Sequence, residues 1–181
     1  MITPEEVVRI YSRLLTNGIQ VWLTGGWGID ALLGEQTRLH KDLDVIMLVD
    51  DVTHLCELFT VDGYSYKELW SENLWTVDAL GTRIETAFFL RDPDGRELDA
   101  HTMRFDERGY GIPAWEKANG FIFTPQFLAG EGMVSGYAVR CMSADYQMIS
   151  HTGYTLPEKQ VPDLKRLHEK FGLAYPKVIA H

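Results

Sequence analysis

Two aspartates one residue apart, Asp42 and Asp44, follow a glycine-rich segment that contains Gly25 and Gly26. Side chains in a strand alternate between its two faces, so both carboxylates should project from one face and could hold one divalent cation. The glycines lie where a strand should meet a helix. There, backbone N–H groups and the positive end of the helix dipole can bind a phosphate. A metal site beside a phosphate site predicts nucleotide chemistry.

The apolar run after Asp44 strengthens this prediction. It reads Val-Ile-Met-Leu-Val and has no polar face, which is typical of a strand buried on both sides. Two carboxylates at the start of such a strand are costly unless a metal or a cationic group compensates them. An isolated Asp-x-Asp is more often a solvated turn, and the prediction therefore depends on the combination of motifs.

Segments 22–34 and 38–44, which carry these glycines and aspartates, resemble motifs of the small antibiotic nucleotidyltransferases of the DNA polymerase beta-like superfamily. The chain is most similar to the lincosamide nucleotidyltransferases and next to the aminoglycoside 2''-adenylyltransferases. Further matching motifs follow in the family's order: Arg83-Ile84-Glu85, Leu98-Asp99-Ala100-His101, Val139-Arg140-Cys141-Met142-Ser143, His151-Thr152-Gly153-Tyr154 and Asp163-Leu164-Lys165. The resemblance covers most of the chain and departs from the family at 70–80 and 91–96.

The resemblance implies an α+β fold, in which the mixed sheet of the nucleotidyltransferases is flanked by helices. We expect a nucleotidyltransferase core over 1–125 and a small C-terminal helical part over 126–181. The implied activity is of EC 2.7.7 type: Mg²⁺-dependent transfer of AMP from ATP to a hydroxyl of a lincosamide, which inactivates the antibiotic. The alternatives are an aminoglycoside nucleotidyltransferase, an enzyme that modifies a protein or metabolite, as in toxin–antitoxin pairs, and an inert nucleotide-binding module.

A third carboxylate is expected, because the attacking hydroxyl must lose its proton and the metal needs more than two ligands. Asp99 lies on a predicted strand whose alternation puts it on the same face as His101. The resemblance aligns Asp99 with the family's third aspartate, which implies that it binds metal with Asp42 and Asp44 and accepts the proton. Glu85, on the preceding strand, is the competing candidate for the base.

The phosphates and the acceptor need further side chains. Gly25 and Gly26 are expected to hold the β and γ phosphates. Basic candidates for the same task are Arg38, His40, Lys41 and Lys165, the last from the family's similar Asp-x-Lys. Candidates for the acceptor pocket are Trp70, Trp75, Tyr110, Trp115, His101 and Tyr154, although aromatic residues on strands more often belong to a core.

Composition limits the class of partner. The chain has 181 residues, a formal net charge of −9 and 17 basic residues that form no run, which argues against nucleic-acid binding. An acidic protein also favours a cationic small molecule, and both antibiotic classes carry protonated amines. No apolar stretch is long enough for a leader or a membrane span, so we expect a cytoplasmic protein and leave a homodimer open.

Periodicity and cap residues predict the elements that position these groups. Helices are expected after Thr3, over 27–33, over 50–59, after Ser143 and over 162–171. Strands are expected over 19–23, 43–49, 64–69, 74–80, 82–90, 97–105, 121–123 and 137–141. The two cysteines, Cys56 and Cys141, lack metal-ligand spacing and should be reduced thiols.

Overall fold

The structure, a computed structural model, describes residues 1–68, 75–77, 81–114, 120–151 and 157–175. The helices within these residues are α1 (Pro4–Thr16), α2 (Gly25–Leu33), α3 (Val52–Thr60), α4 (Ala144–Ser150) and α5 (Val161–Phe171). The strands are β1 (Val21–Leu23), β2 (Asp42–Leu48), β3 (Ser65–Glu68), β4 (Trp75–Val77), β5 (Arg83–Glu85), β6 (Ala87–Arg91), β7 (Glu97–Phe105), β8 (Gly111–Pro113), β9 (Gly130–Val134) and β10 (Tyr137–Cys141). Among the described helices, none combines the length and apolar character needed to cross a membrane.

The main sheet is mixed, as the sequence predicts. Its strands lie in the order β3-β6-β7-β2-β1-β10-β9, with β8 paired to β7, while β4 and β5 form a separate hairpin. The pairs β2–β7 and β1–β10 are parallel, and the other pairs in the sheet are antiparallel. The central position of β2 explains why its sequence shows no polar face after Asp44.

The two faces of β2 meet different surroundings. Leu43, Val45 and Met47 belong to the large core, together with residues of α1, α2 and α3. The alternate face carries Asp42 and Asp44. Farther along the strand it carries Ile46, which packs in a smaller apolar cluster with Trp22, Met103, Phe123 and Met142. The acidic end of this face therefore continues directly into an apolar wall.

The segment after residue 125 adds two strands to the main sheet, of which the sequence predicted only the second, over 137–141. Residues 130–134 and 137–141 form β9 and β10, and Cys141 pairs with Leu23 of β1 in the same sheet as the core strands. The first of these strands was missed because Gly130 and Gly132 argue against a strand. A Cβ on Gly132 would overlap the backbone of Ala31 in α2, so glycine is needed there for close packing.

Three local expectations also change. Helix α2 begins at Gly25, two residues before the predicted start. The predicted strand 82–90 is split into β5 and β6 by a bend at Thr86, whose carbonyl accepts hydrogen bonds from both the backbone N–H and the hydroxyl of Thr102. In place of a strand at 121–123 there is a bridge between Phe123 and Gly111.

Candidate active site

Parallel pairing of β2 and β7 brings the predicted carboxylates together. In the register of this pair, Asp44 lies beside Asp99 and Asp42 lies beside Glu97. Neighbouring strands are about 4.8 Å apart, and paired residues of a parallel sheet point to the same face. The structure therefore places Asp42, Asp44 and Asp99 on one face, as predicted, and adds a fourth carboxylate that was not predicted as a site residue.

Asp99 lies deep in this group. Its side chain is 20% exposed, and its Oδ1 lacks a hydrogen-bond partner among the described residues. The nearest potential cation is His101, whose Nε2 is 3.5 Å from Oδ1. Burial, with repulsion from Asp42 and then Glu97, raises the pKa of Asp99 to about 7. Burial lowers the pKa of His101 to about 4, so this imidazole is neutral at pH 7.

Glu97 differs from Asp99 because it is already compensated. It accepts hydrogen bonds from Arg91 Nε at 2.9 Å and from Lys41 Nζ at 3.2 Å. Desolvation opposes ionisation, but these two cations outweigh it and lower the pKa of Glu97. Glu97 is therefore an ionised neighbour that Arg91 and Lys41 neutralise, unlike Asp99.

The start of α2 adjoins Asp44. Gly25 has φ +56°, and a Cβ there would overlap the Asp44 carboxylate, so only glycine allows this approach. Thr24 occupies the N-cap position without a side-chain hydrogen bond to the first turn in the described structure. The first turn of α2 therefore begins next to Asp44 and has no hydrogen bond from the side chain of its N-cap residue, which is compatible with an anion-binding helix start.

Arg38 completes the basic side of this helix start. Its Nε donates to Asp163 Oδ2 at 2.9 Å, and its Nη2 lies 3.0 Å from where a Cβ on Gly26 would be. The Asp163 side chain is 3% exposed and the Arg38 side chain 27%. A buried carboxylate on α5 thus holds a partly exposed guanidinium over the start of α2.

His40 was predicted to contact the phosphates, but the structure buries its ring against Gly26 at the start of α2. It is 2% exposed, its Nε2 is 2.5 Å from Asp30 Oδ2, and its ring packs on Trp27. A Cβ on Gly26 would overlap the His40 ring. His40 therefore supports the backbone of the helix start from below.

One large cleft is lined by the helix start, Arg38, Asp42 and Asp44, whereas Asp99 and Glu97 lie behind its lining. It has a volume of about 880 Å³ and is lined by Thr24, Gly25, Gly26, Arg38, Lys41, Asp42, Asp44, His101, Tyr146, His151 and Asp163, among others. Tyr146 belongs to an aromatic group with Phe121, Phe123 and Phe127. Burial, with a smaller effect from Asp44, raises the pKa of Tyr146 to about 12. The cleft thus joins an acidic floor and a basic rim to an aromatic wall.

Two of the predicted site residues, Glu85 and Lys165, lie outside the cleft. Glu85 pairs with Arg83 at 3.1 Å in a separate groove that also includes Cys56 of α3. Lys165 is 65% exposed and pairs with Glu169 on the outer surface of α5. The resemblance selected Lys165 from the Asp-x-Lys motif. On α5, however, Lys165 faces solvent and Asp163 faces the interior, because residues two positions apart lie on different faces of a helix.

Tyr110 lies beyond the far end of β7, since Gly111 pairs with Phe105. Six residues of strand separate Phe105 from Asp99, which corresponds to about 20 Å. Tyr110 is therefore not placed beside the carboxylates. The side chain of Trp75 and all of Trp70, Trp115 and Tyr154 lie outside the described residues.

The carboxylates fit a magnesium site that is completed by substrate. Among the described residues, no three His, Cys, Asp or Glu side chains are arranged so that they could hold a metal ion by themselves. Mg²⁺ is commonly held by one or two carboxylates, several waters and substrate phosphates. The neighbouring carboxylates of Asp42 and Asp44, with the unpaired Oδ1 of Asp99 beside them, offer the hard oxygen ligands for such a site.

Asp163 and Tyr146 line the cleft but were not predicted as site residues. In the sequence, Asp163 appears only as part of Asp-x-Lys. Helical periodicity could have identified it, because it lies on the apolar face of α5, and an aspartate on such a face needs a partner. Tyr146 follows the cap residue Ser143 in α4 and carries no distinguishing signal in the sequence.

Comparison with known proteins identifies the family of the chain. The family model for aminoglycoside-2''-adenylyltransferase matches residues 6–167. A lincosamide resistance protein of Staphylococcus haemolyticus is 25% identical over 166 residues, 92% of this chain and 94% of that protein. A 2''-aminoglycoside nucleotidyltransferase of Klebsiella pneumoniae is 29% identical over 128 residues, 69% of this chain and 59% of that protein.

Two solved structures show the same fold. One is the lincomycin-bound lincosamide adenylyltransferase LnuA, with a TM-score of 0.76, 23% identity and coverage of 92% of this chain and 96% of that one. The other is ANT(2'')-Ia with adenylyl-2''-tobramycin, with a TM-score of 0.70, 21% identity and coverage of 93% and 89%. The predicted nucleotidyltransferase fold is confirmed, and the family match shows that the chain belongs to the aminoglycoside-2''-adenylyltransferase family of nucleotidyltransferases.

Proposed function

We propose that this protein transfers AMP from ATP to a hydroxyl of a lincosamide antibiotic with Mg²⁺ as cofactor. The observation that carries the proposal is the shared position of Asp42, Asp44 and Asp99 on one face of adjacent parallel strands, directly beside the start of α2. A carboxylate group for metal next to an anion-binding helix start is the arrangement that nucleotidyl transfer requires.

The phosphate groups are assigned to the start of α2. The N–H groups after Thr24 and the Arg38 guanidinium would bind the β and γ phosphates, because both lie on the basic side of the cleft. This binding sets the α-phosphate beside Asp42 and Asp44. Bound Mg²⁺ would neutralise charge on the phosphates and polarise the α-phosphate for attack.

Asp99 is assigned as the base that accepts the proton of the attacking hydroxyl. Its Oδ1 makes no hydrogen bond among the described residues, and the pairing of β2 with β7 places Asp99 beside Asp44, next to the position assigned to the α-phosphate. The hydroxyl oxygen attacks phosphorus as its proton passes to Asp99, and pyrophosphate leaves. Glu85 lies in another groove, which favours Asp99 as the base.

The acceptor is assigned to the part of the cleft lined by His101 and Tyr146. An acidic floor beside an aromatic wall suits an acceptor that has both a protonated amine and an apolar body. A lincosamide is favoured because this chain covers 94% of the lincosamide resistance protein but 59% of the aminoglycoside enzyme. The description of the matching family makes an aminoglycoside the second candidate.

A substrate screen tests the proposal. Purified protein is incubated with Mg²⁺, each of the four common nucleoside triphosphates and either lincomycin, clindamycin, tobramycin or kanamycin, and products are weighed by mass spectrometry. We expect a gain of one AMP on the lincosamides with ATP. If only the aminoglycosides gain AMP, the acceptor is an aminoglycoside and the lincosamide assignment is wrong. If the protein binds MgATP in calorimetry but modifies none of the four antibiotics, neither antibiotic class is the acceptor.

A further inference from the structure

We propose that Asp163 is a positioning residue for the nucleotide: it fixes the Arg38 guanidinium over the start of α2, so that the Nη groups face the triphosphate. The proposal deepens the proposed function and rests on its assignment of the phosphates to this end of the cleft. It makes α5, the most C-terminal of the described helices, part of the nucleotide site.

The contacts of Asp163 divide between its two oxygens. Oδ2 accepts from Arg38 Nε at 2.9 Å, and Oδ1 lies 3.2 Å from the hydroxyl of Thr37. The Asp163 residue is 2% exposed, so this carboxylate is almost entirely removed from water. A buried carboxylate needs such partners, and in satisfying itself it fixes the direction of the arginine.

The choice of Nε matters for the chemistry. Within the described residues, the Arg38 guanidinium uses only its Nε–H in this way, and the N–H groups on its two Nη atoms remain for a ligand. Nη2 lies 3.0 Å from the position of a Cβ on Gly26, so the fork is directly above the helix start. A lysine ammonium is a point charge without this planar fork, so it could not hold Asp163 through one edge and present paired N–H groups to a phosphate through another.

A second buried carboxylate holds the same segment from the other side. Asp30, 2% exposed, accepts from the Thr37 hydroxyl at 2.6 Å and from the Thr37 backbone N–H at 3.1 Å. It is also paired with His40. Asp30 therefore anchors the chain before and after Arg38, at Thr37 and His40. The orientation of the Arg38 guanidinium depends on its contact with Asp163.

A matched control is available on the same helix. Arg166 of α5 pairs with Glu35 in the segment after α2 at 3.1 Å, but these side chains are 44% and 68% exposed. This ion pair joins the same two elements as the Asp163–Arg38 pair and lies outside the cleft. Arg166→Gln therefore reports what is lost when α5 merely loses a surface contact with this segment.

The test measures MgATP affinity by calorimetry, and KM for ATP and for the acceptor separately, in Asp163→Asn, Arg38→Ala, Arg38→Lys and the Asp163→Asn/Arg38→Ala double variant. A displaced guanidinium should weaken ATP binding and raise KM for ATP by up to about 10²-fold. KM for the acceptor should stay within about twofold. Arg38→Lys should lose as much ATP affinity as Arg38→Ala, and the double variant should lose no more than Arg38→Ala alone.

Several results would overturn the proposal. They are unchanged ATP affinity in Asp163→Asn, additive losses in the double variant, full affinity in Arg38→Lys, or an equal loss in Arg166→Gln. If Asp163→Asn fails to fold, the Arg38 variants, whose side chain is 27% exposed, still decide between a directed fork and a simple charge. Because calorimetry needs no acceptor, a failed antibiotic screen leaves this test intact, whereas wild-type protein that binds no MgATP would refute it.

Discussion

Replacement of Asp99 by asparagine should stabilise the metal-free protein at neutral and alkaline pH. The folded protein raises the pKa of this carboxyl from 3.8 to about 7, so the folded state resists its ionisation. A shift of about three pH units corresponds to about 4 kcal/mol of unfolding free energy. The side chain is only 20% exposed, so screening by water removes little of this cost. Asparagine, which cannot ionise, should therefore recover about 2–4 kcal/mol at pH 8.

The dependence on pH identifies the cause. A group whose pKa is raised in the folded state contributes stability below its unfolded pKa and loses it as pH rises through the folded value. Asp99 should therefore cost wild-type protein stability progressively between pH 4 and pH 7, whereas Asp99→Asn should not show this loss. The melting temperatures of the two proteins should be similar near pH 4. At pH 8, the melting temperature of Asp99→Asn should be about 5–10 °C higher.

The assay is thermal unfolding in EDTA from pH 4 to pH 9, with Asp50→Asn as the control, since Asp50 is an exposed acidic residue just beyond β2. Mg²⁺ and ATP at 100 times the Kd should raise the unfolding free energy of wild-type protein by about 2.7 kcal/mol. The variant should gain less. A variant that is less stable than wild-type protein at pH 8 in EDTA would refute the charge-repulsion reasoning.

Three other substitutions test the remaining assignments. Asp44→Asn should abolish transfer in a Mg²⁺ assay while circular dichroism shows an intact fold, and wild-type turnover would exclude Asp44 from the metal site. Gly26→Val should displace the His40 ring and so lower both the calorimetric ATP affinity and the melting temperature; unchanged ATP affinity would move the phosphate site elsewhere. Glu85→Gln should keep turnover within about threefold, whereas a loss of about 10² that recovers at high pH would identify Glu85 as the base.

The sequence predicted the carboxylate face because strand alternation has a period of two. Asp42 and Asp44 must share a face in any strand, and the buried run after them identified the strand. The register of β2 against β7 depends on how the whole sheet assembles, and the resemblance, rather than the alternation, selected Asp99 as the partner. The position of these groups is now observed, while their roles stay predictions.

The sequence was less informative about which basic residues face the cleft. His40 and Arg38 are two residues apart, yet one is buried under the helix start and the other is in the cleft. Their directions depend on Asp30 and Asp163, which are 133 residues apart in the chain and meet through Thr37 only after folding. A local pattern cannot encode such a long-range choice, and the same limit applies to Lys165.

The placement of Asp163 on α5 has a consequence for synthesis on the ribosome. Gly25, Gly26 and Arg38 emerge early, but the carboxylate that orients the arginine is made 125 residues after it. A nascent chain that stops before α5 already contains β1 to β10 and still lacks the carboxylate that contacts Arg38. On the proposed assignment of the phosphates, ATP would bind tightly only after α5 has docked, and nucleotide in the cell would selectively stabilise the docked state.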